Sequence, residues 1–215
     1  MTSKTTHIYG PSFSNFVRTV MLVCEEKKIP YTVGIEVNGE TIGFKSERHL
    51  ELHPFGKMPI LIQDQLILPE TSSICRYLDN DRELQPHDSI EYAAHDALCA
   101  LISIDIDKVL LRDYLLEFAF PQGENGTVRV DVVNQVKPKV ISMLTTIDKI
   151  LHNKTALSTD TFTIADALLA PMLHYISCLP TDYNLLTGFP NLTRYLDKLM
   201  TRASCQKVLI KKDFA

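Results

Sequence analysis

The sequence predicts a small α/β unit followed by an all-α unit. Strand-like and helix-like segments alternate over residues 1–80, whereas only helical periodicity is found over residues 88–215. A charged segment that contains Pro86 separates the two sequence patterns. The 215 residues, at about 150 residues per domain, leave the number of domains open between one and two. We therefore predict two domains, 1–80 and 88–215.

Composition indicates a folded protein of ordinary type. Hydrophobic residues make up 45% and charged residues 22%, and the net charge is −4, which excludes a disordered chain and makes nucleic acid an unexpected partner. No apolar stretch approaches the ~18 residues of a membrane span, and the polar N-terminus lacks a signal peptide. The five cysteines form no Cys-x-x-Cys, which favours a reducing compartment. We expect a cytoplasmic protein without a membrane partner.

The first half has the order βαβ-loop-ββα. Residues 7–10 and 31–37 are strand-like, and the helical pattern of residues 16–28 between them predicts a parallel pair. Residues 38–53 are polar and irregular. Only three residues separate the apolar segments 58–62 and 66–68, so an antiparallel hairpin is expected, followed by a helix over 71–78.

The second half predicts helices only. In the Thr163–Asp166 segment, a threonine is followed three residues later by an aspartate, as in a capping box before an apolar helix. Pro138 is expected to kink its helix or to mark its first turn. The predicted helices span 89–120, 128–152, 163–178 and 192–202.

Met58-Pro59 precedes an apolar strand, where proline cannot donate to the sheet ladder. A cis bond would present the backbone of Met58 at the strand end. On frequency alone a trans bond is expected, since about 5–6% of such bonds are cis.

Two helix starts carry hydroxyl groups. Thr71 follows Glu70 after an apolar strand, and Ser12, Ser14 and Asn15 precede the first helix. Hydroxyls and free N–H groups at a helix N-terminus can bind an anion, although ordinary capping is the simpler interpretation.

His49 and His53 have the i, i+4 spacing of a metal pair on a helix. Pro54 follows at once and no third ligand is nearby, so we expect no metal. The sequence also lacks a nucleophile elbow, a P-loop and a dinucleotide fingerprint.

The order of these features resembles a cytosolic glutathione transferase. The matching motifs are His-Pro-Phe-Gly-Lys-Met-Pro-Ile-Leu at 53–61, Pro-Glu-Thr-Ser-Ser-Ile at 69–74 and Phe-Thr-Ile-Ala-Asp-Ala-Leu-Leu-Ala-Pro at 162–171. The first loop, Tyr-Gly-Pro-Ser-Phe-Ser at 9–14, is most similar to serine-type, phi-like members.

The resemblance implies a thioredoxin-like first domain that binds glutathione as co-substrate. It implies a cis bond between Met58 and Pro59, with the Met58 backbone pairing to the cysteinyl part of glutathione. Glu70 and Thr71 match positions that hold its γ-glutamyl end.

The remaining site residues also come from the resemblance. Lys45 and Lys57 match positions that hold the glycyl carboxylate, and Ser14 matches the catalytic serine that stabilises the thiolate; Ser12 or Asn15 could serve instead. We place the aromatic residues Phe13, Tyr114 and Phe118 near the electrophile.

The resemblance implies a detoxification enzyme, a homodimer, that adds the glutathione thiolate to a small hydrophobic electrophile. One alternative is a glutathione-dependent peroxidase or disulfide reductase on the same scaffold. The other is a non-catalytic interaction module, which would be expected to lose the glutathione-binding residues.

Overall fold

The structure, a computed structural model, describes residues 5–152, 157 and 161–211. The chain divides into two compact units, Met1–Gln85 and Pro86–Ala215. The first is an α/β unit and the second is helical, which confirms the predicted fold class. None of the described helices is long and apolar enough to cross a membrane.

The first unit is built on a four-stranded mixed sheet. Its strands are β1 (Thr6–Tyr9), β2 (Tyr31–Gly34), β5 (Ile60–Gln63) and β6 (Leu66–Pro69), in the spatial order β2-β1-β5-β6. Strand β1 is parallel to β2 and antiparallel to β5, and β5 forms a hairpin with β6, as the sequence predicts.

The register of the sheet brings several strand ends together. Tyr9, the last residue of β1, pairs with Ile60, the first residue of β5. Ile60 in turn pairs with Pro69, the last residue of β6. Consequently the chain segments that follow β1, precede β5 and follow β6 all leave the same end of the sheet.

Two helices of the first unit begin at that end. Helix α1 (Asn15–Glu26) follows β1 and buries a continuous run of side chains from Val17 to Cys24. Helix α3 (Thr71–Leu78) follows β6 and packs against α1. Each helix therefore directs the positive end of its dipole toward the segments that converge there.

The segment predicted to be irregular contains regular structure. Strands β3 (Glu36–Val37) and β4 (Glu40–Thr41) form a separate two-stranded sheet, and helix α2 (Glu47–Leu52) follows. The Ser46 side chain caps α2 by accepting a hydrogen bond from the His49 backbone N–H at 3.2 Å. Six residues are too few for a helical hydrophobic period to be recognised.

The helical unit contains the predicted helices, and it differs from the prediction in two respects. Residues Ile102–Ile106 and Lys108–Leu115 form π-helical turns rather than α-helix, and a further α-helix follows the last predicted one. Asp107 pairs with Arg112 and Lys108 with Asp113, both at i, i+5, a spacing that suits the wider π turn. The α-helices are α4 (Ser89–Leu101), α5 (Leu116–Ala119), α6 (Val130–His152), which contains Pro138, α7 (Ile164–Ser177), α8 (Pro190–Met200) and α9 (Ala203–Val208).

The start of α7 is fixed by the predicted capping box. The Thr163 side chain accepts from the Asp166 N–H, and the Asp166 carboxylate accepts from the Thr163 N–H at 2.7 Å. The Tyr195 hydroxyl of α8 donates to the other oxygen of Asp166, which is fully buried. A single carboxylate thus caps one helix and joins it to another.

We predict that Asp166→Ala lowers the free energy of unfolding of the helical unit by about 3 kcal/mol. The change removes a cap worth about 1 kcal/mol and leaves the buried Tyr195 hydroxyl without its acceptor. Denaturant unfolding followed by circular dichroism measures the effect. Asp197→Ala, at an exposed position of α8, is the control and should change it by less than about 0.5 kcal/mol. Equal effects would contradict the role of Asp166.

Candidate active site

The candidate site is the end of the sheet at which the segments after β1, before β5 and after β6 converge. Gly10 shows how closely they approach. A Cβ on Gly10 would lie 2.7 Å from Val17 Cγ2 of α1 and 3.3 Å from Met58 Cβ, and its φ of +135° also favours glycine. The loop after β1 therefore contacts both α1 and the segment that precedes β5.

Ser14 lies at the N-terminus of α1, with an extended backbone (φ −68°, ψ 134°). Within the described residues its hydroxyl makes no capping hydrogen bond to that helix, and the first turn of α1 contains no acidic side chain. Ser14 is half-exposed, so its hydroxyl is available to a ligand. The positive end of the α1 dipole beside it is not balanced by an acidic side chain in the first turn.

The two alternatives to Ser14 differ in environment. Ser12 is exposed. Both amide atoms of Asn15 are buried without a hydrogen-bond partner among the residues that the structure describes. The choice of Ser14 over Ser12 or Asn15 stays a prediction.

Tyr9 has a hydroxyl close to the same end of the sheet, but that hydroxyl is already used. It donates to the Ile42 carbonyl at 3.0 Å, and the whole residue is buried. Burial also raises the pKa of the phenol, which disfavours a phenolate. Tyr9 therefore supports the fold beneath the site and does not compete with Ser14.

The peptide bond between Met58 and Pro59 is cis. This confirms what the resemblance implies, and the expectation from frequency alone is wrong. Pro59 is buried and Met58 is half-buried, and the ladder with β1 begins one residue later at Ile60. The Met58 backbone thus lies at the strand end, beyond the paired residues.

Glu70 occupies the position before α3 with φ 72° and ψ 114°, a conformation that non-glycine residues rarely adopt. Its side chain does not cap α3 and is 67% exposed. One carboxylate oxygen lies 3.7 Å from His53 Nε2. Thr71 begins the helix beside it, so a carboxylate, a hydroxyl and free helix N–H groups are adjacent.

Lys45 and Lys57 are both exposed. The Lys45 ammonium lies 5.5 Å from the centre of the Phe44 ring, and the Lys57 ammonium lies 5.9 Å from the centre of the Phe55 ring. Each ammonium group therefore rests on a neighbouring aromatic face, and the binding role of the two lysines stays a prediction.

The two histidines weighed as a metal pair have other contacts. His49 Nδ1 lies 3.0 Å from the Lys45 N–H, and its Nε2 lies 3.1 Å from the Lys57 carbonyl. His53 Nδ1 accepts from the Phe55 N–H at 3.2 Å. Among the described residues no group of three or more metal-ligating side chains occurs. The i, i+4 spacing of the two histidines is visible in the sequence, but it does not predict that their rings contact backbone groups.

The three aromatic residues assigned to the electrophile lie in different units. Phe13 is exposed in the α/β unit, whereas Tyr114 and Phe118 are buried in the helical unit. The Phe118 ring packs against Tyr114 and Tyr183, and the Tyr114 hydroxyl donates to the Tyr183 carbonyl at 2.8 Å. Burial raises the pKa of Tyr114 to about 12. Their contact with a substrate stays a prediction.

All five cysteines lie in the part of the chain that the structure describes, and none of them forms a disulfide. Cys24 and Cys75, the two in the α/β unit, are buried, and burial raises the pKa of the Cys24 thiol to about 12. These thiols are poor nucleophiles, because the thiolate is the reactive form. The loop that contains Ser14 has no cysteine.

Family models match both units. The glutathione S-transferase N-terminal domain matches residues 8–86, and the glutathione S-transferase C-terminal domain matches residues 111–203. Together the two matches span most of the chain.

Curated relatives are similar over nearly the full length. Glutathione S-transferase 1 of maize (Zea mays) is 27% identical over 208 residues, covering 94% of this chain and 94% of the maize protein. Glutathione S-transferase F11 of Arabidopsis thaliana is 24% identical over 210 residues, covering 94% of this chain and 96% of that protein.

Solved structures share the fold. Maize glutathione S-transferase I in complex with an atrazine glutathione conjugate has a TM-score of 0.79 at 23% identity, covering 95% of this chain and 96% of that chain. A theta class enzyme from Xanthomonas axonopodis pv. citri with glutathione bound has a TM-score of 0.80 at 22% identity, covering 97% of this chain and 99% of that chain.

We predict that Glu70→Gly gives a more stable protein than Glu70→Ala, by about 1 kcal/mol. Both variants lack the carboxylate, but glycine alone adopts the observed positive φ without strain. Thermal unfolding compares them. The control is Glu51 in α2, where glycine should instead be less stable than alanine by about 1 kcal/mol. The same order at both positions would contradict backbone strain at Glu70.

Proposed function

Because the chain belongs to the glutathione S-transferase family, we propose that it adds the thiolate of glutathione to a small, hydrophobic electrophile. The single observation that supports this function best is the convergence of Ser14, Met58 and Glu70 at one end of the sheet. The plant relatives agree with the phi-like form of the resemblance.

The reaction requires a thiolate, and Ser14 is proposed to stabilise it. A free thiol has a pKa near 8.5, so only a few per cent is ionised at neutral pH. The Ser14 hydroxyl would donate to the sulfur, and the N-terminus of α1 would favour its negative charge. A decrease of ~2 pKa units corresponds to about 2.7 kcal/mol. The thiol proton is released to solvent.

The ionised sulfur then attacks the electrophilic carbon. A C–S bond forms, and the electron pair of the bond that breaks departs with the leaving group. In an addition reaction the pair moves onto the acceptor, which is then protonated. The protein orients glutathione and stabilises its thiolate, whereas the reactive sulfur itself belongs to glutathione.

The two ends of glutathione have separate binding groups in this proposal. The Glu70 carboxylate pairs with the ammonium of the γ-glutamyl end, and Thr71 with the N-terminus of α3 binds its carboxylate. The Met58 backbone pairs with the cysteinyl part as an added strand. Lys45 and Lys57 bind the glycyl carboxylate as point charges.

The remaining parts of the proposal concern the electrophile and the assembly. The α/β unit holds glutathione, and Phe13, Tyr114 and Phe118 stay the residues predicted to contact the electrophile. The similar maize protein is bound to a glutathione conjugate of atrazine, which supports a conjugating reaction here. We also propose a homodimer that serves detoxification. A cytoplasmic location is proposed because the cysteines form no disulfide, as is usual in a reducing compartment.

Turnover distinguishes this function from its two alternatives. Retention on immobilised glutathione, followed by assays with haloaromatic, epoxide, isothiocyanate and hydroperoxide substrates, is the direct experiment. Conjugation of the first three classes supports a transferase, whereas turnover of hydroperoxides or disulfides alone supports the reductive enzymes. Failure to bind glutathione would favour the interaction module.

We predict that Ser14→Ala lowers turnover at least about tenfold and leaves the KM for glutathione nearly unchanged. The hydroxyl acts on the charge of the sulfur, and a hydrogen bond to a charged group is worth about 1.5–3 kcal/mol. Steady-state kinetics at saturating electrophile measures both values. Ser12→Ala and Asn15→Ala are the controls, and a larger loss in either would transfer the role to that residue.

We predict that Glu70→Gln raises the KM for glutathione about tenfold with little change in turnover at saturation. Glutamine keeps the size of the side chain but loses the charge that pairs with the ammonium group. Glu51→Gln, an exposed position on α2, serves as the control. An unchanged KM would remove Glu70 from the γ-glutamyl subsite.

A further inference from the structure

His49 is a fully buried residue of α2 whose imidazole joins two segments of the α/β unit. Nδ1 contacts the backbone N–H of Lys45 at 3.0 Å, and Nε2 contacts the backbone carbonyl of Lys57 at 3.1 Å. One of these lysines precedes α2 and the other follows it, and they are the two proposed to bind the glycyl carboxylate.

The partners define the tautomer of the ring. A backbone N–H can only donate, so Nδ1 of His49 must be an unprotonated acceptor. A carbonyl can only accept, so Nε2 must carry the proton. Adding a proton at Nδ1 would place two N–H groups against each other and break the contact with Lys45. The neutral Nε2–H form is therefore the one that joins both segments.

The same contacts occupy both nitrogens through which His49 could bind a metal. The lone pair of Nδ1 is directed at the Lys45 N–H, and Nε2 carries a hydrogen directed at the Lys57 carbonyl. Neither nitrogen has a lone pair available to a cation without loss of a buried hydrogen bond. The spacing to His53 thus has a structural meaning other than metal binding.

Packing around the ring holds the two segments in place. The His49 ring lies 4.8 Å from the Tyr9 ring and 5.6 Å from the Phe44 ring, measured between centroids. Gly56, with φ +56°, lies so close that a Cβ there would be 3.4 Å from Lys45 Cγ and 3.7 Å from Lys45 Cα. The turn before Lys57 therefore packs directly on Lys45.

We propose that His49 is a positioning residue for the glycyl end of glutathione. Its neutral ring holds the backbones of Lys45 and Lys57 so that both ammonium groups can reach one carboxylate. This inference rests on the proposed function and adds to it the residue that organises the glycyl subsite. His49 itself contacts neither glutathione nor the reacting atoms.

The test compares glutathione with its monoethyl ester, in which the glycyl carboxylate is blocked. The wild type should have a KM for the free acid that is roughly tenfold lower than for the ester, since a charge-assisted contact is lost. In His49→Leu this preference should fall to about the value in the double variant Lys45→Ala, Lys57→Ala. Turnover at saturation should stay within about twofold, because the thiolate site is unchanged.

Two conservative variants separate the two contacts. His49→Asn keeps an acceptor near the position of Nδ1, and His49→Gln keeps a donor near the position of Nε2. Each should retain part of the preference for the free acid that His49→Leu loses. Arg48→Gln, an exposed residue on the same helix, is the matched control and should keep the full preference.

The outcomes distinguish this inference from the function on which it rests. A wild type that does not bind glutathione, or binds acid and ester equally, overturns the glycyl subsite and the His49 role together. A wild type that prefers the acid while His49→Leu keeps the same preference overturns the His49 role alone. An equal rise in KM for acid and ester in His49→Leu also overturns it, since that would reflect general destabilisation.

The wild-type protein provides a measurement that does not depend on folding of a variant. Nitrogen NMR of the histidine side chains should show His49 as the neutral Nε2–H tautomer, with that proton protected from exchange. A protonated Nδ1 would overturn the proposed arrangement.

Discussion

The pairing of Ile60 with Tyr9 on one side and Pro69 on the other is the constraint on which the site depends. It places the ends of β1 and β6 and the start of β5 at one end of the sheet. A slip of one residue would turn every side chain of β5 to the opposite face of the sheet, so the buried pattern maintains this register. The serine loop, the cis bond and the start of α3 meet there as a consequence.

The site at this end of the sheet consists of backbone N–H groups and charged groups more than of reactive side chains. Two helix N-termini, one available hydroxyl and the carboxylate of Glu70 surround the segments that converge, while the thiols of Cys24 and Cys75 are buried. A site without an accessible protein thiol fits an enzyme of the glutathione S-transferase family, because glutathione itself supplies the reactive sulfur. Glu70 keeps a backbone conformation at this end of the sheet that non-glycine residues rarely adopt.

Much of the fold could be predicted, because the parallel pair, the hairpin and the capping box at Thr163 rest on local patterns. Helix α2 could not, since six residues are too few for a period, and the π turns near Asp107 depend on contacts at i, i+5. The assignment of Ser14 rests on family motifs and stays a prediction. The contacts of His49 could not be predicted, because spacing alone cannot reveal that backbone groups before and after α2 occupy both ring nitrogens.

We propose that this end of the sheet stabilises a thiolate. A pH titration of the ultraviolet absorbance of the thiolate, in glutathione bound to the wild-type enzyme, measures this effect. The bound thiol should ionise ~2 pH units below the value near 8.5 of the free thiol. A bound thiol that titrates at the same pH as free glutathione would contradict it.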